Sequence, residues 1–326
     1  MTRQRTMERN LWSGRVDSAD GERGRRWHQV VRPAEFADAP GVALLGFASD
    51  AGVIRNDGRA GAAEGPRALR RALSNLAWHG GAEARLYDAG DITCEGDALE
   101  DAQATYAARV AGLLRAGHFP VGLGGGHEIA WAAYQGLARA LEGDPRLERL
   151  GIVNFDAHLD LRRPEMAGRG TSGTPFLQIS GARAAAGLGF RYLCLGVSEA
   201  SNTAALFDRA RELGVETVLD VDAGQPAAEA ALAGFIEASS AVYLTFCLDV
   251  LPPAVAPGVS APSGLGVALH RAVALLRSAL ARCAHGRTGS KLLLADVAEF
   301  NPGFDPDGRT ARTAARLVYE LVSPRT

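Results

Sequence analysis

Ile152-Val153-Asn154-Phe155-Asp156-Ala157-His158-Leu159-Asp160 opens as an apolar run and closes on three polar residues set two apart. In extended chain, alternate side chains point the same way, so Asp156, His158 and Asp160 converge on one face while Ala157 and Leu159 take the other. Two carboxylates and an imidazole at one point repel and desolvate one another unless a cation sits among them. A run that is apolar on both faces is how a strand covered by helices on each side reads. The stretch therefore predicts a buried parallel strand with a divalent-cation site at its carboxyl end, where open parallel sheets bind their ligands.

Seven further runs have the same strand-like character, at 42–48, 84–89, 119–123, 192–197, 216–219, 242–248 and 291–297; the quoted one covers 150–155. Amphipathic stretches lie between them, at 64–76, 99–114, 128–141, 201–213, 226–237, 266–283 and 310–321. Pro66 suits a first helical turn, and Glu100 and Asp101 suit the positive end of a helix dipole. Strand–helix alternation over the whole length predicts an α/β fold, one parallel sheet with helices on both faces. Residues 1–40 are rich in Arg and poor in periodic pattern, and read as an irregular N-terminal arm. No linker or low-complexity block divides the chain, so 1–326 reads as a single domain with that arm.

Composition narrows the classes. A 326-residue chain with 47% hydrophobic residues can bury a sizeable core. Lys plus Arg total 35 against 37 Asp plus Glu, and the formal net charge of −2 makes no electrostatic case for a nucleic-acid partner. The cysteines at 94, 194, 247 and 283 lack paired spacing, which argues against a disulfide scaffold and a CxxC zinc site. No apolar run approaches the roughly 18–20 residues of a membrane span, and the basic start lacks the apolar region of a signal peptide. The expectation is a cytoplasmic protein that acts on a small molecule, not on a nucleic acid or a membrane.

Two other strand ends carry chemistry. Phe119-Pro-Val-Gly-Leu-Gly-Gly-Gly-His127-Glu128 is a glycine-rich turn that ends at a histidine opening a helix. It lacks the Gly-Lys-Ser/Thr of a phosphate loop and the acidic partner of a dinucleotide fingerprint. Alone, its His reads as a structural residue. Val242-Tyr-Leu-Thr-Phe-Cys247-Leu-Asp249 ends on a Cys and an Asp two apart and co-facial. A buried Cys is most often a small hydrophobe, but a carboxylate closing an apolar strand needs a partner. Together, His127, Asp156, His158, Asp160, Cys247 and Asp249 form a donor set of mostly oxygen and imidazole. It suits Mn²⁺, or Fe²⁺, Co²⁺ or Zn²⁺, better than a soft thiolate site would. Six ligands exceed one tetrahedral zinc. Two cations about 3.5–4 Å apart, sharing carboxylates, fit the number and can lower the pKa of a bridging water toward neutrality.

The three motifs resemble those of the ureohydrolase superfamily, which includes arginase, agmatinase and formimidoylglutamase. The family patterns Gly-Gly-x-His, Asp-Ala-His-x-Asp and Ser/Thr-x-Asp-x-Asp correspond to Gly125-Gly126-His127, Asp156-Ala157-His158-Leu159-Asp160 and Thr245-Phe246-Cys247-Leu248-Asp249. The likeness implies a three-layer αβα fold with an eight-stranded, mostly parallel sheet, and two Mn²⁺ per subunit. Leu11-Trp-Ser-Gly-Arg-Val-Asp17, Arg26-Trp-His-Gln29, Asn56-Asp-Gly-Arg-Ala-Gly-Ala-Ala-Glu-Gly-Pro66, Ser172-Gly-Thr-Pro-Phe176, Ala256-Pro-Gly-Val-Ser-Ala-Pro262 and Ala298-Glu-Phe-Asn-Pro302 are similar to the formimidoylglutamase branch. The chain departs from the family at two places. Cys247 stands where the family usually has the Asp that bridges both metals, and Ser172 stands where arginase-like members have a His.

The resemblance implies hydrolysis of a linear amidine, N-formimidoyl-L-glutamate, to L-glutamate and formamide, in histidine degradation. Metal-bound hydroxide would attack the amidine carbon. Asp160 would orient it and carry its proton to the departing amine, and Glu299 would pair with the amidinium. The two substrate carboxylates call for bidentate Arg partners. Arg163 and Arg169 are the expected ones, with Arg162, Arg55 and Arg59 also near the strand ends, and Ser172 hydrogen-bonds substrate. The alternatives are another ureohydrolase acting on a guanidino acid or agmatine, and a non-catalytic, metal-depleted relative. Family analogy adds a homo-oligomer.

Overall fold

The computed structural model describes residues 2–35, 38–81, 83–166, 168–284 and 289–323. Ten strands form one sheet: β1 (Arg3–Arg5), β2 (Arg32–Pro33), β3 (Val42–Ala48), β4 (Leu86–Thr93), β5 (Phe119–Gly124), β6 (Leu150–Phe155), β7 (Tyr192–Val197), β8 (Glu216–Leu219), β9 (Ala241–Cys247) and β10 (Leu292–Ala298). All eight expected runs are strands. Across the sheet the order is β1-β4-β3-β5-β10-β9-β6-β7-β8, and β2 also pairs with β4. Only β1 runs antiparallel to its neighbour.

Among the described residues, ten α-helices join them: α1 (Trp27–Val30), α2 (Ala51–Arg55), α3 (Gly65–Ser74), α4 (Leu99–Arg115), α5 (Ile129–Ala140), α6 (Pro175–Ala185), α7 (Ala204–Glu212), α8 (Pro226–Glu237), α9 (Leu269–Ala284) and α10 (Arg309–Val322). They divide between two apolar layers. Leu73 of α3, Phe235 of α8, Leu276 of α9 and Leu317 of α10 pack in one layer with Val42, Leu44, Val153 and Phe246. Tyr106 of α4, Leu137 of α5, Phe176 of α6 and Leu206 of α7 pack in the other with Ala43, Leu45, Ile152 and Tyr243. Successive residues of β3 and β6 thus face opposite layers, as the strand period requires, and the αβα sandwich follows.

The sheet departs from the expected eight strands at its edge. Both additional strands come from residues 1–40, whose positions 1, 36 and 37 lie outside the described residues. At three and two residues, with Arg and Gln side chains, β1 and β2 are too short and polar to show a periodic signal. Nor is this segment an irregular arm, since Leu11, Trp12 and Trp27 are buried in the core. Helix α6 also went unread. Its buried face includes Phe176, Ile179, Ser180 and Arg183, and Arg183 donates to the carbonyls of Leu147 and Glu148. A face that buries a Ser and an Arg does not look apolar in the sequence.

A buried ion cluster ties the N-terminal segment down. Arg70 of α3 donates to both oxygens of Asp88, at 2.9 Å each, and to Asp91 at 2.6 Å. Trp12 Nε1 donates to Asp88 Oδ2 at 2.7 Å. Burial opposes the Arg70 charge, but the two acids outweigh it and push its pKa up. Removing one partner of such a buried set leaves bare charge behind, so Arg70→Met should cost about 3–5 kcal/mol in urea unfolding. A loss below about 1 kcal/mol would contradict this role.

For function, the decisive feature lies at the centre of the sheet. β5, β10, β9 and β6 are consecutive neighbours and all parallel. Their carboxyl ends therefore emerge side by side, with Ala298 opposite Cys247 and Phe155 opposite Phe246.

Candidate metal centre

Three of the four strand ends deliver the six expected donors, and the fourth brings Glu299 beside them. His127 follows β5, Glu299 follows β10, Cys247 ends β9 and Asp156 follows β6. Two groups of donor atoms form, each within 4.8 Å: His127 with Asp156 and Cys247, and Asp156 with His158 and Asp249. Asp156 belongs to both. Asp160 completes the first group, because its Oδ2 and Asp156 Oδ2 each lie 2.9 Å from His127 Nδ1. His158 Nδ1 turns to Asp249 Oδ2 at 3.1 Å.

The convergence does not arise from strand alternation. β6 stops at Phe155, and Asp160 has φ 48°. That left-handed residue turns the chain, so that Asp156 and Asp160 both reach His127. β9 stops at Cys247, and Asp249 sits on a single 3₁₀ turn over Leu248–Val250. Glu299, with φ 68°, is likewise left-handed. Such backbone costs a non-glycine residue about 1–2 kcal/mol and concentrates at functional sites.

Buried polar groups inside the strands aim the donors. Asn154 Nδ2 and the His158 N–H donate to Asp156 at 3.0 and 2.7 Å. Thr245 Oγ1 and the Tyr243 hydroxyl donate to the two oxygens of Asp296, each at 2.5 Å. With its proton committed to Asp296, Thr245 Oγ1 accepts from His127 Nε2 at 3.0 Å. This network assigns the proton of the neutral imidazole to Nε2 and leaves Nδ1 facing two carboxylates. Nδ1 can stay there only if it carries a second proton or binds a cation. Asp249 Oδ1, buried and without a hydrogen-bond partner, asks for the same neighbour. The donor set thus fits a pair of divalent cations. Asn154, Thr245 and Asp296 were not read as site residues, although their signal is visible: each is a polar residue inside an otherwise apolar strand.

Protonation tells the same story. Burial, with the Asp156 charge behind it, pushes Asp160 up to about 6. Burial and then Asp249 push Glu299 up to about 8. Burial would lower His158, but Asp249 and Asp156 overcome it and push it up to about 12. Burial also pushes the Cys247 thiol up, with Asp156 and Asp249 adding to the effect. Without a cation, the cluster holds protons in its place.

The donors floor a cavity of about 230 Å³ whose upper wall includes Asn56, Asp57, Arg59, Arg162 and Ser172. A larger one, about 710 Å³, lies beside Trp78 and Arg85 and contains none of the donors. Of the arginines named from the sequence, Arg162 faces the catalytic cavity. The expected Arg163 and Arg169 do not line it, and Arg169 pairs with Asp97. Arg55 is held by Asp97 and Glu100. Arg59 lines the cavity, but its guanidinium donates to the carbonyls of Val259 and Ser260 and lies 3.8 Å over the Phe304 ring. Ser172 is in place, its Oγ accepting from Asn56 Nδ2 at 3.3 Å.

These shifts fix a pH dependence. Groups whose folded pKa is raised lend stability below their ordinary pKa, and it is lost as pH climbs through the folded value. For metal-free protein, the contribution of Asp160 is lost as pH climbs to about 6, while those of Glu299 and then His158 go on being lost between about pH 6 and about pH 8. A bound cation removes the repulsion and competes with those protons. The rise in Tm on adding Mn²⁺ should be larger at about pH 8 than at about pH 6. An equal or smaller rise at the higher pH would contradict the assignment.

Comparison with known proteins agrees. The chain is 51% identical to the formimidoylglutamase of Aromatoleum aromaticum, over 96% of this chain and 92% of that protein. It is equally similar to the formimidoylglutamase of Ralstonia nicotianae, 51% over 96% and 94%. Among solved structures, Trypanosoma cruzi formiminoglutamase with Mn²⁺ superposes with a TM-score of 0.75 at 29% identity, covering 87% of this chain and 92% of that one. The formimidoylglutamase of Bacillus subtilis, at 20% identity, shares the fold with a TM-score of 0.78 over 92% and 91% of the two chains. The model of the arginase family matches residues 40–323, a span that runs from just before β3 to the end of α10 and takes in every donor described above, so the chain belongs to the arginase family.

Proposed function

We propose that this chain is a manganese-dependent hydrolase that cleaves N-formimidoyl-L-glutamate to L-glutamate and formamide. The observation that carries the reading is a single cavity holding two donor groups that share Asp156, with Glu299 beside them and Arg162 on the wall above. The identity of about half the chain to proteins named formimidoylglutamase supports the substrate. His127, Asp156, His158, Asp160, Cys247 and Asp249 would hold the two ions. When bound, the pair supplies charge that offsets the clustered carboxylates and acidifies a water molecule.

The remaining work falls to side chains. Glu299 Oε1 is fixed by the His127 N–H at 2.8 Å, which leaves Oε2 for the substrate amidinium. Pairing there holds the amidine carbon over the donor cluster. Asp160 is held in place by its turn and by His127. It takes one proton from the attacking water and returns it to the glutamate nitrogen as the carbon–nitrogen bond breaks. The carbon leaves as formamide. Arg162 receives a substrate carboxylate as a bidentate pair, and Asn56 and Ser172 offer hydrogen bonds beside it. The protein is one catalytic domain acting in the cytoplasm, a location supported by its composition, and it assembles as a homo-oligomer, which rests on family resemblance.

Protein loaded with Mn²⁺ should release glutamate from N-formimidoyl-L-glutamate faster than it acts on agmatine or 4-guanidinobutyrate. Arg162→Ala should raise KM about tenfold or more, the loss of a charge-assisted pair, with kcat little changed. Asp160→Asn should lower kcat at least about 100-fold. No glutamate release by protein with two bound ions would end the substrate assignment, and unchanged kcat in the Asp160 variant would remove it from the mechanism.

A further inference from the structure

Glu128 lies next to His127 and opens α5, yet it is buried and lines no part of the catalytic cavity. Its side chain reaches across to the segment after β3. There Oε1 accepts from Ser49 Oγ at 3.0 Å and from the Gly52 N–H at 2.9 Å. The Gly52 carbonyl in turn accepts the Ser172 N–H at 3.0 Å, and the Gly173 carbonyl accepts the Arg162 N–H at 2.8 Å. A continuous path of hydrogen bonds therefore runs from the turn that carries His127 to the two segments that carry Asn56, Ser172 and Arg162. From behind, Gln103 Nε2 of α4 holds the Glu128 carbonyl at 3.0 Å.

The surrounding backbone is shaped to this carboxylate. A Cβ on Gly126 would lie 2.0 Å from Glu128 Oε2, and one on Gly52 would lie 2.5 Å from its Cδ. Glycine at both positions leaves the group just enough room. A buried carboxylate is costly in an apolar setting, and α5 needs no acid here for packing.

We propose that Glu128 is a positioning residue that sets the substrate-binding segments 49–59 and 168–174, and Arg162 through them, relative to the metal donors. The inference rests on the proposed substrate only in assigning those segments to its carboxylate end. Glu128 touches neither substrate nor metal. It acts through the Gly52 peptide, so its loss is felt in substrate binding before chemistry.

The test uses Mn²⁺-loaded protein and three variants. Glu128→Ala removes the acceptor and should raise KM for N-formimidoyl-L-glutamate at least tenfold, with kcat within threefold and metal content unchanged. Glu128→Gln keeps an acceptor at Oε1 and should restore KM to within threefold of the parent. Ser49→Ala removes one of the two donors, is mild enough to fold, and should raise KM by two- to fivefold. Hydrogen exchange gives a readout that needs no substrate. Peptides covering 49–59 and 168–174 should exchange faster in Glu128→Ala while those of α5 do not, and this arm holds even if the substrate assignment fails. Unchanged KM and unchanged exchange in Glu128→Ala would overturn the proposal. So would a loss of metal and kcat at constant KM, which would place the effect on His127.

Discussion

Four acids, the buried Asp156, Asp249 and Glu299 and the half-buried Asp160, gather around one point at the tips of four adjacent strands, and their mutual repulsion is the constraint on which the rest depends. Unit charges about 4 Å apart at an effective dielectric of about 20 interact by roughly 4 kcal/mol. Several such pairs would exceed the stability of a typical domain, about 5–15 kcal/mol. The fold can hold them only with positive charge among them. Metal-free protein finds it in protons, which is why His158 stays charged and Asp160 and Glu299 titrate high. Two divalent cations answer the same need and add chemistry.

A parallel sheet is suited to this task because its strand ends point one way. The order β5-β10-β9-β6 makes neighbours of strands that are far apart in the chain; β5, β9 and β6 contribute the donors and β10 contributes Glu299. The apolar layers on both sides leave little freedom to relax. Inside that frame, Asn154, Thr245 and Asp296 are buried supports that fix the donors from beneath. The left-handed turns at Asp160 and Glu299 show the backbone held in a costly shape where the chemistry requires it.

Much of this was legible in the sequence, for identifiable reasons. Continuous apolar runs announced eight strands, polar residues at their ends announced the six donors, and Glu299 came from the resemblance to the family. Alternation along a strand would gather Asp156, His158 and Asp160 on one face, but β6 ends at Phe155 and a turn at Asp160 brings the two aspartates to His127 instead. What stayed hidden depends on contacts made at a distance. β1 and β2 are strands only because β4 offers an edge. Arg163 and Arg169 looked as suitable as Arg162, because all three lie in one polar loop. The fold separates them: Arg162 lines the cavity and Arg163 does not, while Arg169 pairs with Asp97. Cys247 stands out in the motif, and the structure places it in one donor group with His127 and Asp156.

The central claim is that two cation sites share Asp156, and that Cys247 is a donor to one of them. It is tested most directly by titrating metal-free protein with Co²⁺, following both stoichiometry and the near-ultraviolet thiolate-to-cobalt charge-transfer band. The account predicts two ions per chain, a band that disappears in Cys247→Ser, and loss of both ions in Asp156→Ala. A single ion, or two ions with no thiolate band and full retention in Asp156→Ala, would contradict it.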